Sequence, residues 1–174
     1  MTEAEIQEFV QQARDGDAEA FGVLFEEFSD RVYRFLAMRV SEKETAEDIT
    51  QTVFVEMIQS LGRYKKQRNA KFSTWLFQIA RFRLIDHYRS KKAHIPLEDV
   101  PEPVQEPAHA DPVQDRALRD ALNTLPEQQR TVLHLHFFED MSPQEIAVVL
   151  KTTAINVRVI QHRAIKVLRT LITI

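Results

Sequence analysis

Apolar residues recur along this chain at helical spacing. Beyond Asp17, the positions Phe21, Leu24, Phe25, Phe28, Val32, Phe35 and Leu36 repeat at three- and four-residue intervals, which places them on one helix face behind a candidate N-cap. Ser41 and Glu44 predict a capping box for a second helix with the core stripe Ala46, Ile49, Val53, Met57 and Leu61. The pattern breaks from Gly62 to Lys71. Ser73 is then the expected cap of a helix reaching about Lys91. Further on, Thr124 and Glu127 predict another capping box, with Leu125, Val132, Leu133 and Phe137 as its apolar positions. Ser142, Pro143 and Glu145 combine a cap, a first-turn proline and a capping-box partner ahead of Ile146, Ala147, Val149 and Leu150. A last helix is expected from about Ala154 to Leu171. No segment alternates with the two-residue period of a strand, so the expected fold class is all-α.

Five of the seven prolines fall between Pro96 and Pro112, among five acidic residues and no Lys or Arg. Proline fixes φ and removes a backbone donor, so this stretch reads as an extended tether that can span roughly 50 Å. It divides the chain into two small helical domains, 1–92 and 113–174, joined by an acidic, Pro-rich linker at 93–112.

Composition narrows the classes. The chain has 174 residues, 44% of them hydrophobic and 28% charged, which suits a soluble folded protein. It has no cysteine, which excludes disulfides, thiolate zinc sites and cysteine nucleophiles and fits a reducing, cytoplasmic setting. Its three glycines stand alone, so neither dinucleotide-binding nor Walker spacing occurs. The acidic N-terminus lacks the apolar run of a signal peptide, and no 18-residue apolar stretch exists, so no membrane insertion is expected. His134 and His136 sit two apart on a predicted helix and point in different directions, which argues against a shared metal. No cofactor, metal site or catalytic constellation is expected.

The net charge of −3 hides a strong polarity. Residues 1–60 carry a net −9, 61–95 a net +9, 96–125 a net −5 and 126–174 a net +2. A block of +9 within 35 residues is a candidate polyanion site. In it, cations interleave with Tyr64, Phe72, Trp75, Phe77, Phe82 and Tyr88, the mixture with which proteins track phosphates and stack on unpaired bases. Much of that aromatic set also suits a core, with Trp75 and Ile79 as the first core candidates. The polar loop, with Arg63, Lys65, Lys66, Asn69 and Lys71, is the better ligand candidate. Residues 142–168 have the layout of a helix-turn-helix, in which Ile146, Leu150, Val157 and Ile160 pack the pair. The second helix presents Asn156, Arg158, Gln161, His162, Arg163 and Lys166, residue types that read base edges in the major groove. Lys151 occupies the turn position where glycine is usual, so a left-handed backbone there would be strained. On the earlier helix, Asp48, Gln51, Val55 and Ile58 point away from the core stripe and suggest a surface for a partner helix.

Three runs, AEDITQTVFVEMI (46–58), FSTWLFQIARFRLIDHYRSKK (72–92) and LPEQQRTVLHLHFFEDMSPQEIAVVLKTTAINVRVIQHRAIKVLR (125–169), resemble the extracytoplasmic-function sigma factors, the small two-domain members of the bacterial sigma-seventy family. The resemblance covers nearly the whole chain in the right order. It implies a non-enzymatic subunit that directs core RNA polymerase to promoters. It implies polymerase binding through Asp48 and Gln51, beside Val55 and Ile58, and minus-ten recognition and melting through the loop and the following helix, including Phe82 and Asp86. It implies minus-thirty-five recognition through the last helix, where Arg158, His162 and Arg163 fall on DNA-contacting positions. Core RNA polymerase, promoter DNA and an anti-sigma factor are the implied partners. Phe82 departs from the family's usual Asn, and Val159 and Ile160 depart from small polar and basic residues. A conventional helix-turn-helix regulator that binds duplex operators without polymerase is the alternative; it does not account for residues 61–92 or the linker.

Overall fold

The computed structural model describes residues 1–65, 70–93 and 120–172. The proline-rich stretch at 96–112 lies outside them, as do Lys66 and Asn69. The chain forms α1 (Glu3–Arg14), α2 (Ala18–Ala37), α3 (Lys43–Leu61) and α4 (Phe72–Ala93), then α5 (Glu127–Phe137), α6 (Pro143–Leu150) and α7 (Ala154–Ile172). A short helical turn at 120–123 precedes α5. No β-strand occurs among the described residues.

Helix starts follow local chemistry. Asp17 caps α2, its Oδ1 accepting from the Glu19 and Ala20 amides at 2.8 and 3.2 Å. Ser142 and Glu145 close the expected capping box on α6. Thr2 and Glu5 form another on α1. Three expected caps differ. Glu42, not Ser41, is the N-cap of α3, with no side-chain bond to the helix amides. Ser73 lies within α4, which begins at Phe72. Thr124 donates its hydroxyl back to the Ala121 carbonyl, and α5 starts instead behind Pro126.

The apolar stripes meet in a core formed by Leu24, Phe28, Val32, Phe35 and Leu36 of α2, Ala46, Val53 and Met57 of α3, and Phe72, Leu76, Phe77 and Ala80 of α4. Burying each large side chain contributes about 2 kcal/mol. Phe28 meets Phe72 edge-on at 5.5 Å and Phe35 meets Phe77 at 5.4 Å, a geometry the ring quadrupoles favour. The expected stripe on α2 has one exception: Phe25 is 41% exposed and leans its ring on Phe54 at 4.8 Å. Phe137 also departs from expectation, being exposed at the end of α5 beside an exposed Phe138.

α4 is apolar on two sides because it is covered twice, by α2 and α3 on one side and by α6 on another. α6 and α7 form a helix-turn-helix whose inner residues Ile146, Leu150, Val157 and Ile160 are all buried. Lys151 takes φ 53° and ψ 50° at the turn, the left-handed conformation.

Three ion pairs join the two sets of helices among the described residues, each with its cation on α1–α4 or the adjoining loop and its acid after residue 120. Arg31 meets Glu139 at 2.7 Å, Arg39 meets Glu127 at 3.1 Å, and Lys71 meets Glu145 at 3.8 Å. Arg39 is 4% exposed, lies 4.0 Å above the Phe35 ring, and donates to the Phe35 carbonyl. Burial pulls its pKa down, and Glu127 opposes that shift. Tyr88 donates its hydroxyl to the Arg39 carbonyl, and burial pushes that phenol up to about 12.

Candidate nucleic-acid interface

Three separate surfaces carry the residues singled out from the sequence. The first is the outer face of α3. Ala46, Ile49, Val53 and Met57 turn inward, so the helical period forces Asp48, Gln51, Val55 and Ile58 outward, and all four are exposed. Val55 and Ile58 are each 52% exposed, an apolar pair beside a carboxylate and an amide.

The second surface is the loop before α4 and the start of that helix. Arg63 and Lys65 are exposed. Tyr64 between them is buried, packed on Trp75 at 4.9 Å and Phe72 at 5.5 Å, and its hydroxyl accepts from Gln7 Nε2 at 3.2 Å. Burial raises its pKa. Tyr64 thus anchors the loop, and its flanking cations face water. Arg63, Lys65, Lys71 and Gln78 line a cavity of about 270 Å³ together with Trp75 and Val148 of α6. Lys71 and Thr74 both approach Glu145 of α6, and Gln78 Nε2 donates to the Val148 carbonyl at 3.3 Å.

Phe82 is exposed one turn beyond Gln78, with Lys151 Nζ 5.3 Å and the Arg83 guanidinium 5.9 Å from its ring centroid. Asp86 is engaged: Arg83 pairs with it at 3.1 Å and with Glu56 of α3. The Glu56 hydrogen bond raises the Arg83 pKa most. Asp86 therefore braces α4 against α3 through Arg83, while Phe82 stays exposed with Lys151 and Arg83 beside its ring.

The third surface is α7. Val157, Ile160 and Ala164 are buried, so Arg158, His162, Arg163 and Lys166 lie exposed on the other side. Thr153 accepts from the Asn156 amide at 3.2 Å, the geometry of an N-cap. Asn156 is exposed, but its Nδ2 donates to the Thr152 hydroxyl at 2.9 Å, which ties it to the turn. No acidic residue occurs from 154 to 172.

His134 and His136 diverge. His134 is buried between the Phe35 ring at 5.3 Å and the Phe138 ring at 5.1 Å, with Glu139 3.7 Å from Nε2. His136 Nδ1 lies 3.1 Å from the Met141 carbonyl. Burial, above all, holds the His134 pKa below its ordinary value.

Sequence reasoning missed Phe25, whose exposure beside Phe54 is invisible to a period that counts every phenylalanine as core. It also missed Arg39 and Glu127, whose pairing spans 88 positions.

Residues 24–94 match the family model for sigma-70 region 2, and residues 121–170 match that for sigma-70 region 4. The chain is 32% identical, over 97% of its length, to the ECF RNA polymerase sigma factor BldN of Streptomyces coelicolor, and it spans 66% of that relative. It is 34% identical to the RNA polymerase sigma factor CarQ of Myxococcus xanthus, covering 94% of this chain and 95% of that one. Its fold is similar to that of the sigma factor RpoE from Bartonella quintana, solved in complex with the anti-sigma factor NepR. The TM-score is 0.72 at 18% identity, over 90% of this chain and 99% of that one. No helix among the described residues is long and apolar enough to cross a membrane.

Proposed function

Because the chain belongs to the sigma-70 family as an extracytoplasmic-function sigma factor, we propose that it acts as an alternative specificity subunit that brings core RNA polymerase to a set of promoters and starts their melting. In this reading residues 1–92 bind polymerase through Asp48, Gln51, Val55 and Ile58. The loop residues Arg63, Lys65, Lys66, Asn69 and Lys71, with Phe82 on α4, take the minus-ten element. Residues 113–174 take the minus-thirty-five element through Arg158, His162, Arg163 and Lys166, and 93–112 tether the two. Asp86 supports α4, and Asn156 supports the turn before α7. The protein is a binding subunit rather than a catalyst, works in the cytoplasm beside polymerase, and is restrained by an anti-sigma factor.

The observation that carries this reading is the separation of charge among the three surfaces. Polymerase is offered a mixed apolar and acidic helix face, and DNA is offered the basic loop and an acid-free α7. A chain with net charge −3 has little long-range attraction for DNA. Polymerase supplies the missing affinity by holding both modules at promoter spacing, which turns the second contact into an intramolecular one. Melting then exchanges base stacking for aromatic and cationic contacts, at a few kcal/mol for each extruded base.

The test is to mix the protein with sigma-free bacterial core polymerase, isolate the complex by size exclusion, and assay it for opening of a genomic fragment library. Co-elution with opening of a subset of fragments is the expected result. Tight binding of the free protein to intact duplex without co-elution would transfer the assignment to a conventional helix-turn-helix regulator.

A further inference from the structure

Val159 and Ile160 are adjacent on α7, but they do different things. Ile160 is buried in the helix-turn-helix core, whereas Val159 is 41% exposed. Ile155, one turn earlier on the same face, is 72% exposed. The inner residues Val157, Ile160 and Ala164 lie on the opposite side, so this apolar pair is not the edge of the core. It stands among Arg158, His162, Arg163 and Lys166, on a helix without one acidic residue. Two exposed branched aliphatics inside a cationic field suit a ligand that is both polyanionic and locally apolar.

Duplex DNA has one such feature in its major groove: the thymine C5 methyl, the apolar group on a base edge. The first turns of the second helix of a helix-turn-helix are the ones that enter the groove, and Ile155 and Val159 occupy them. Residues four apart rise about 6 Å along a helix axis, close to two base steps of roughly 3.4 Å. We propose that Ile155 and Val159 are specificity-determining residues of α7 that read two thymine methyls about two base steps apart in the upstream promoter element, while the surrounding cations hold phosphates and purine edges. This rests on the assignment of α7 as the minus-thirty-five reader and adds which base it selects and by what contact.

Deoxyuridine lacks only the methyl, so it isolates the contact. Duplexes selected by the holoenzyme are remade with each upstream thymine replaced singly by deoxyuridine, and holoenzyme affinity is measured. Wild-type holoenzyme is expected to lose about fourfold at each of two positions, the worth of one buried methyl-sized group. Ile155→Ala is expected to become indifferent to one replacement and Val159→Ala to the other, both variants still forming holoenzyme. Indifference of the wild type at every position, an upstream element without thymine, or full sensitivity persisting in both variants would overturn the proposal and leave the sigma assignment standing. Failure of the wild-type complex to form or to select any DNA would overturn that assignment, and this proposal with it.

Discussion

The ammonium of Lys71 lies 3.8 Å from Oε1 of Glu145, and the other oxygen of the same carboxylate completes the cap of α6 by accepting from the Ser142 amide and hydroxyl at 2.9 and 2.8 Å. One side chain thus starts the helix-turn-helix and holds the basic loop against it. The two contributions differ in size. The cap serves an otherwise orphaned amide, worth about 1 kcal/mol, whereas the ion pair has a half-exposed lysine and is worth well under 1 kcal/mol. Glu145→Ala should therefore cost about 1–2 kcal/mol, and Lys71→Met less than about 0.5 kcal/mol. Urea unfolding with an unchanged slope checks both. Equal costs would mean that the pair, not the cap, is the larger contribution.

Lys151 is in the left-handed conformation at the turn between α6 and α7, and its ammonium stands over the Phe82 ring. A side chain with a Cβ costs about 1 kcal/mol there relative to glycine. The cation–ring contact is exposed and returns about 0.5 kcal/mol. Lys151→Ala should lose the contact and keep the strain, so it is destabilising by about 0.5 kcal/mol. Lys151→Gly should be about 1 kcal/mol more stable than the alanine variant. Thermal melts of the three proteins decide it. An alanine variant as stable as the glycine one would remove backbone strain from the account.

These contacts show which parts of the fold a sequence discloses. Asp17 and Ser142 are legible because a cap acts over three residues and leaves a short pattern. Ser41, Ser73 and Thr124 carry the same chemistry, yet Ser73 is drawn into α4 and Pro126 sets the start of α5. Pro126 can do so because a proline fixes φ and has no amide to leave unpaired. The inward stripe of α3 is legible, and with it the outward set Asp48, Gln51, Val55 and Ile58, because one period fixes both faces. Phe25 and Phe137 obey the same period and are nonetheless exposed, because a period says which positions share a face and not how far other elements cover that face. The pairing of Arg31 with Glu139 and of Arg39 with Glu127 leaves no local trace, because such pairs are chosen by how α5 and α6 dock on α2 and α4.

His134 predicts a pH dependence. It is packed between Phe35 and Phe138, faces Glu139, and has its charged form further disfavoured by Arg39 and Arg34. Burial is the largest cause of its lowered pKa, and Glu139 only partly opposes it. A folded-state value below the ordinary 6.5 means that the unfolded chain binds the proton more readily. Stability from this site is then fully present above about 6.5 and declines as pH falls toward the folded-state value. Unfolding free energies measured between about pH 7.5 and 5.5 should fall with acid in the wild type and fall less steeply in His134→Leu. Parallel slopes would place the titration elsewhere.

The outer faces of α3 and α7 should separate genetically. Ile58 is exposed on the side of α3 opposite the buried Ile49, so Ile58→Glu has little reason to unfold the chain; exposed substitutions usually change stability by less than about 0.5 kcal/mol. If polymerase covers that face, the buried carboxylate should cost tenfold or more in core affinity, about 1.4 kcal/mol or above. Asp48→Ala should weaken the same contact without burying a new charge. Arg163→Ala, on the acid-free face of α7, should leave core affinity unchanged and weaken use of the upstream element by about 1–3 kcal/mol if it contacts a base. Size exclusion with core polymerase reads the first effect, and promoter selection by the assembled complex reads the second. Crossed phenotypes, with Arg163→Ala losing polymerase or Ile58→Glu changing which promoters are chosen, would mean that the two faces are not assigned to different partners.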